Sequence, residues 1–170
     1  SCYPRTPDLA WMTASEHDAI WIAFQASGLV CNLQVTPPNY RHIIELAQRY
    51  RQVRFVLNHF GLPKGAGIAP EDVASGGLDE ARLLDNLFVK VSAYYSVADT
   101  PWDHRCPTAL AYLYRLRDLL GAERLMFGSD WPPAGRQLTY RQIVEIVRTE
   151  ATELTEAEKA AILGETAARV

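Results

Sequence analysis

Two apolar runs in this 170-residue chain end on a side chain that can do chemistry. In Arg124-Leu125-Met126-Phe127-Gly128-Ser129-Asp130-Trp131-Pro132, the carboxylate of Asp130 stands where a short buried strand gives way to a loop closed by Pro132. In Arg54-Phe55-Val56-Leu57-Asn58-His59-Phe60-Gly61, His59 holds the same place. A carboxylate there is either a cap for the next helix or a site residue. An imidazole either bonds to backbone in the core, polarises a carbonyl, or ligates a metal in its neutral form. Gly128 lets the backbone approach something closely. Two strands ending alike, with helical segments between them, point to a parallel sheet or barrel with its site at the strands' carboxyl ends.

Further candidates lie on the other strand-like runs. Asn32 and Gln34 share one face by period two and could hydrogen-bond substrate hydroxyls at the mouth, or be satisfied by neighbours. Lys90, Ser92 and Tyr94 share a face opposite Val89, Val91 and Ala93. A lysine among apolar neighbours is unfavourable unless paired, so Lys90 reads as half of a buried ion pair or as an anion-binding group. Trp131 is a packing residue or a platform for a sugar ring. Trp102 and His104 fall in an aromatic stretch, Tyr94 to His104, that could cover a substrate.

The elements that must position these residues alternate. Leu29 to Val35 reads as a strand stopped by Thr36-Pro37-Pro38, followed by a helix with Ile43, Leu46, Ala47 and Tyr50 on one face. Phe55 to His59 is the second strand, and the Gly- and Pro-rich stretch from Gly61 to Gly77 is long enough to be a functional loop. A short helix near Asp79 to Asp85 precedes the third strand, Leu87 to Tyr94. A helix over Pro107 to Leu120 follows, with Gly121 suited to its end, and then the fourth strand, Leu125 to Asp130. Tyr140 to Thr149 and Glu156 to Arg169 close the chain as helices, the second opened by the capping pair Thr155 and Glu158. Asp8 to Ser27 reads as helical, with Trp11, Trp21 and Phe24 as packing residues. Helical crossovers make the strands parallel. Four β-α units are about half of a (β/α)8 barrel, while a doubly wound sheet could be complete at this length.

Composition narrows the function classes. The chain reads as one domain over residues 1–170, 48% hydrophobic, with enough apolar content for a substantial core. Seventeen basic against 20 acidic residues leave −3, which offers no reason to expect a nucleic-acid partner or an anionic membrane surface. No run approaches a membrane span, and the start lacks the charged-then-apolar pattern of a signal peptide. Cys2, Cys31 and Cys106 are scattered, which favours reduced thiols and a cytoplasmic setting, with Cys31 a small core residue. No Gly-x-Gly-x-x-Gly or P-loop pattern follows a strand, so nucleotide binding of either kind loses support.

The blocks Leu29 to Val35, Arg54 to Gly61, Asn86 to Ala93 and Arg124 to Pro132, with the ending Ile162-Leu163-Gly164-Glu165-Thr166-Ala167, carry a resemblance. In this order the chain resembles the carboxyl-terminal part of an amidohydrolase-related TIM-barrel hydrolase, in the branch of sugar lactonases and 2-pyrone-4,6-dicarboxylate lactonase. The resemblance implies an α/β chain forming barrel strands five to eight. His59 then ends strand six and Asp130 ends strand eight, with Asp130 taking a proton from the attacking water. Where one divalent metal, zinc, is present, Asp130 and His59 are its ligands; a metal-independent site is the other reading. The family's metal-dependent members carry a His-x-His pair on the first strand, and this chain has none, so that strand is expected in a segment absent here. Gln34 stands where decarboxylase-like relatives place a histidine, which favours the lactonases. The resemblance therefore implies hydrolysis of a small carboxylic or sugar-acid lactone, with His59 as electrophile or ligand and Asn32, Gln34, Lys90 and Trp131 as substrate-binding groups. A metal-dependent decarboxylase and a non-catalytic half-barrel that self-associates as a homo-oligomer are the alternatives.

Overall fold

Four parallel strands lie side by side in the order in which the chain reaches them. The computed structural model describes residues 3–4, 6–100 and 103–170. Among these, β1 (Val30–Leu33), β2 (Arg54–Leu57), β3 (Leu87–Val91) and β4 (Leu125–Phe127) form a single sheet in the order β1-β2-β3-β4. Val30 pairs with Arg54, Phe55 with Leu87 and Val89 with Leu125. A doubly wound sheet reverses its order once; this one does not, and it has the succession of neighbouring units in a (β/α)8 barrel.

The two faces of the sheet differ. Cys31, Leu33, Phe55, Leu57, Leu87, Val89, Val91 and Leu125 join the main core with α1 (Asp18–Ser27), α2 (Tyr40–Arg49) and α4 (Pro107–Leu120). Val56, Phe88 and Met126 form a separate small cluster, with Val30 and Val170 against it. The helices thus cover one face. By period two, Lys90 and Ser92 fall on the other.

Each helix follows from its residues. In α2, Ile43, Leu46 and Ala47 are buried, with Tyr50 buried just past its end, as one apolar stripe requires. In α4, Leu113, Leu116 and Leu120 are buried, Pro107 starts the helix, and Gly121 leaves it at φ 85°. The Thr155 and Glu158 capping box opens α6 (Glu156–Ala160), and a second box, Thr139 with Gln142, opens α5 (Tyr140–Glu145). A wider turn at Ala161–Glu165 joins α6 to α7 (Thr166–Arg169), so the expected last helix is continuous but irregular. No helix among the described residues is long and apolar enough to cross a membrane.

Several expectations are corrected. The strands are shorter than their apolar runs: Leu29, Gln34 and Val35 lie outside β1, and His59, Ser92 and Asp130 lie past their strand ends. Tyr94 does not share the face of Lys90 and Ser92. It starts α3 (Tyr94–Val97) and packs edge-on to Phe60 in the core, ring centroids 5.3 Å apart. The amino-terminal segment winds as two short helical turns before α1, and Trp11 is 40% exposed, leaving Trp21 as the buried indole. The stretch after Gly61 forms short helical turns held by Val73 in the core and by the Tyr112 hydroxyl donating to the Ile68 carbonyl at 2.5 Å. It packs against α4.

Asn86 has a structural role that its sequence position did not announce. It is buried, and its Nδ2 donates to the carbonyls of Ala47 (3.0 Å), Tyr50 (3.2 Å) and Val53 (2.9 Å), tying the end of α2 to the turn before β2. Asn86→Ala leaves these carbonyls short of a donor. It is expected to destabilise the fold by about 2 kcal/mol. Urea unfolding should show a lower midpoint at unchanged slope; an unchanged midpoint would refute the tie.

Candidate active site

β2, β3 and β4 all hand the chain on through a left-handed residue just past the strand: His59 (φ 54°), Ala93 (φ 54°) and Asp130 (φ 53°). A non-glycine residue in this region is uncommon and costs about 1 kcal/mol or more, and such residues concentrate at functional sites. The turn swings His59 and Asp130 across the strand ends instead of letting them continue the alternation. With Asn58, Lys90, Ser92, Ser129 and Trp131 they line a cavity of about 340 Å³ at the carboxyl end of the sheet.

The polar groups form a chain across three strand ends. The Tyr95 hydroxyl donates to Asp130 Oδ2 at 2.7 Å. Asp130 Oδ1 lies 3.8 Å from His59 Nε2, too far for a direct hydrogen bond, so both atoms stay available to a substrate. His59 Nδ1 is 2.9 Å from Ser92 Oγ. The stem of Lys90 lies over Gly128: a Cβ at position 128 would sit 2.9 Å from Lys90 Cδ and 2.9 Å from Ser92 Cβ. This is the close approach that the glycine permits.

Burial lowers the His59 pKa from its ordinary 6.5, the Asp130 carboxylate opposes this, and the Lys90 charge adds to it. Lys90 is also lowered by burial, again opposed by Asp130. Tyr95 is pushed up to about 12 by burial and by its bond to Asp130. It therefore remains a donor across the physiological range.

The cavity brings together His59, Asp130, Lys90 and Trp131 from the sequence candidates. Trp131 stands at the rim, half exposed and edge-on to Tyr140. Asn32 and Gln34 are not among the cavity walls. Asn32 is partly buried on β1 with no partner for its Oδ1 among the described residues, and Gln34 opens on a separate groove with Pro4, Thr6 and Asn39. Asn32 lies within β1 and Gln34 just past its end, and neither joins His59 and Asp130 in lining this cavity. His104 is exposed and lines no part of the cavity, while Trp102 and Cys2 lie outside the described residues. Cys31 is in the core as expected; Cys106 is buried, and burial pushes its thiol up to about 11. Tyr95 is the residue that sequence reasoning missed. No periodic signal could have found it, because the turn at Ala93 resets the alternation. Ser92 was detectable through its alternation with Lys90.

A catalytic zinc usually takes three protein ligands. His59 and Asp130 could supply two, but one Asp130 oxygen already accepts from Tyr95, and the Lys90 ammonium shares the cavity. Among the described residues no three metal-ligating side chains come together, so these residues do not complete a zinc site.

Comparison with known proteins places this geometry. Residues 3–170 match the family model described as amidohydrolase. The chain is 29% identical over 154 residues to an L-fucono-1,5-lactonase of Burkholderia multivorans (strain ATCC 17616 / 249), covering 85% of this chain and 52% of that protein. Its fold superposes on a crystal structure of an amidohydrolase from Burkholderia multivorans with bound zinc, with TM-score 0.77 and 25% identity over 94% of this chain and 58% of that one. A Pseudomonas putida protein assigned as a 2-pyrone-4,6-dicarboxylic acid hydrolase shares the fold at TM-score 0.73 and 24% identity, over 93% of this chain and 57% of that one. The chain thus spans about half the length of the relatives it matches. With its parallel strands in barrel order, its strand-end aspartate and histidine and the match over residues 3–170, the chain belongs to the amidohydrolase family.

Proposed function

We propose that the protein hydrolyses a small carboxylic or sugar-acid lactone at the cavity around Asp130. The observation that carries this reading is the pairing of Asp130 with His59 from different strand ends, 3.8 Å apart and each held from behind by a hydroxyl. The lactonase relative and the resemblance of the strand-end blocks support the choice of bond.

Asp130 Oδ2 is engaged by Tyr95, so Oδ1 takes the proton of the attacking water. The water oxygen adds to the lactone carbonyl carbon, and the carbonyl oxygen becomes anionic. With the Ser92 hydroxyl donating to Nδ1, His59 carries its hydrogen on Nε2 and stabilises that oxygen. The ring C–O bond then breaks, and the proton held by Asp130 passes to the departing alkoxide. The product is the open hydroxy acid. Proton release on a panel of sugar-acid and aromatic lactones tests the reaction, and no turnover on any of them by folded protein would refute it.

Tyr95 acts through Asp130 and is a positioning residue. Tyr95→Phe is expected to lower kcat about tenfold while KM stays within about threefold, the scale of one hydrogen bond to a charged group. Steady-state kinetics on a hydrolysed lactone would check this. A loss confined to KM would instead place the hydroxyl on the substrate.

A further inference from the structure

The chain has three lysines, and two of them sit on carboxylates: Lys64 on Asp99 at 2.9 Å and Lys159 on Glu156 at 3.0 Å. Lys90 differs. Among the described residues its ammonium makes no hydrogen bond and no ion pair, although its side chain is partly buried and lines the cavity. The Asp130 carboxylate acts on the ammonium through the field of its charge, without a direct contact, its Oδ2 accepting from Tyr95 and its Oδ1 lying 3.8 Å from His59. The stem lies against Gly128, along the wall of the cavity.

Register adds depth to this picture. Lys90 pairs with Met126, two residues before Gly128 and four before Asp130. The stem therefore starts below the strand end and passes Gly128, which brings its charge to bear on Asp130 and His59. A partly buried ammonium with no hydrogen-bond partner among the described residues is unfavourable, and a ligand anion supplies that partner.

We infer that Lys90 is the seat of a carboxylate on the substrate, so that the preferred lactone is an anionic one with its carboxylate on the ammonium and its carbonyl between Asp130 and His59. This rests on the lactonase reading of the same cavity. A cavity of about 340 Å³ accommodates one small ring with such a substituent.

The test compares kcat/KM for 2-pyrone-4,6-dicarboxylate with that for the neutral L-fucono-1,5-lactone, in the wild type, Lys90→Met and Lys90→Arg. Lys90→Met is expected to lower the ratio of anionic to neutral substrate about 30-fold, chiefly through KM, with Lys90→Arg recovering most of it. An equal loss on both lactones would overturn the inference and put the ammonium on the shared carbonyl; an unchanged ratio would overturn it too. Calorimetry with isophthalate, a dicarboxylate that has no lactone bond, separates this from failure of the lactonase reading. Binding that Lys90→Met weakens about tenfold or more supports the carboxylate seat even without turnover. With no turnover, binding that is absent or indifferent to Lys90 overturns it.

Discussion

Asp130→Asn is expected to lower kcat/KM for lactone hydrolysis about a thousandfold and to leave thermal stability nearly unchanged. The substitution is close to isosteric. Asn tolerates the left-handed backbone that position 130 adopts at φ 53°, and its amide oxygen can still accept from the Tyr95 hydroxyl. What disappears is the basic oxygen that faces the cavity, so the loss falls on kcat more than on KM. Proton-release kinetics beside a melting curve checks both halves. Retention of more than about a tenth of the activity by the variant would remove Asp130 from the role of base.

His59→Asn is expected to reduce kcat about a hundredfold, the usual consequence of losing one donor to a developing oxyanion. Asn is again chosen because position 59 holds φ 54°. The pH dependence makes the test sharper. Burial keeps the folded pKa of His59 below 6.5, so the neutral imidazole persists into more acidic solution than a free histidine would allow. The acid limb due to His59 should lie below pH 6.5 in the wild type and vanish in His59→Asn. Stability follows the same sign. The folded pKa is depressed, so this contribution is fully present above the unfolded value and is lost as pH falls through the folded one. An acid limb that survives the substitution unchanged would exclude His59 as its source.

Much of this is legible in the sequence. Helices show in the stripe Ile43, Leu46, Ala47 and Tyr50 and in the Pro107-to-Gly121 boundaries, because a 3.6-residue period and its end signals are local properties of the chain. The parallel sheet follows from helices lying between apolar runs, and the ends of two of those runs identified Asp130 and His59. Strand ends were less legible. The runs Leu29 to Val35 and Leu87 to Tyr94 are longer than β1 and β3, since apolar residues continue past the point where the backbone leaves the sheet. A left-handed turn at Ala93 has no signature in the residue type, and it moved Tyr94 into the core and Tyr95 onto Asp130.

The choice between a barrel arc and a doubly wound sheet also needed three dimensions. Both are built from the same β-α units, and the difference is which earlier strand each new one pairs with. Local pattern specified which segments are strands and helices and which two strand ends carry reactive groups, because those properties lie within a few neighbouring residues. The contact of Tyr95 with Asp130, of His59 with Ser92 and of Lys90 with Gly128 joins residues 33 to 38 positions apart. Those pairings arise from strand register and from backbone turns at three strand ends, which no periodicity along the chain encodes.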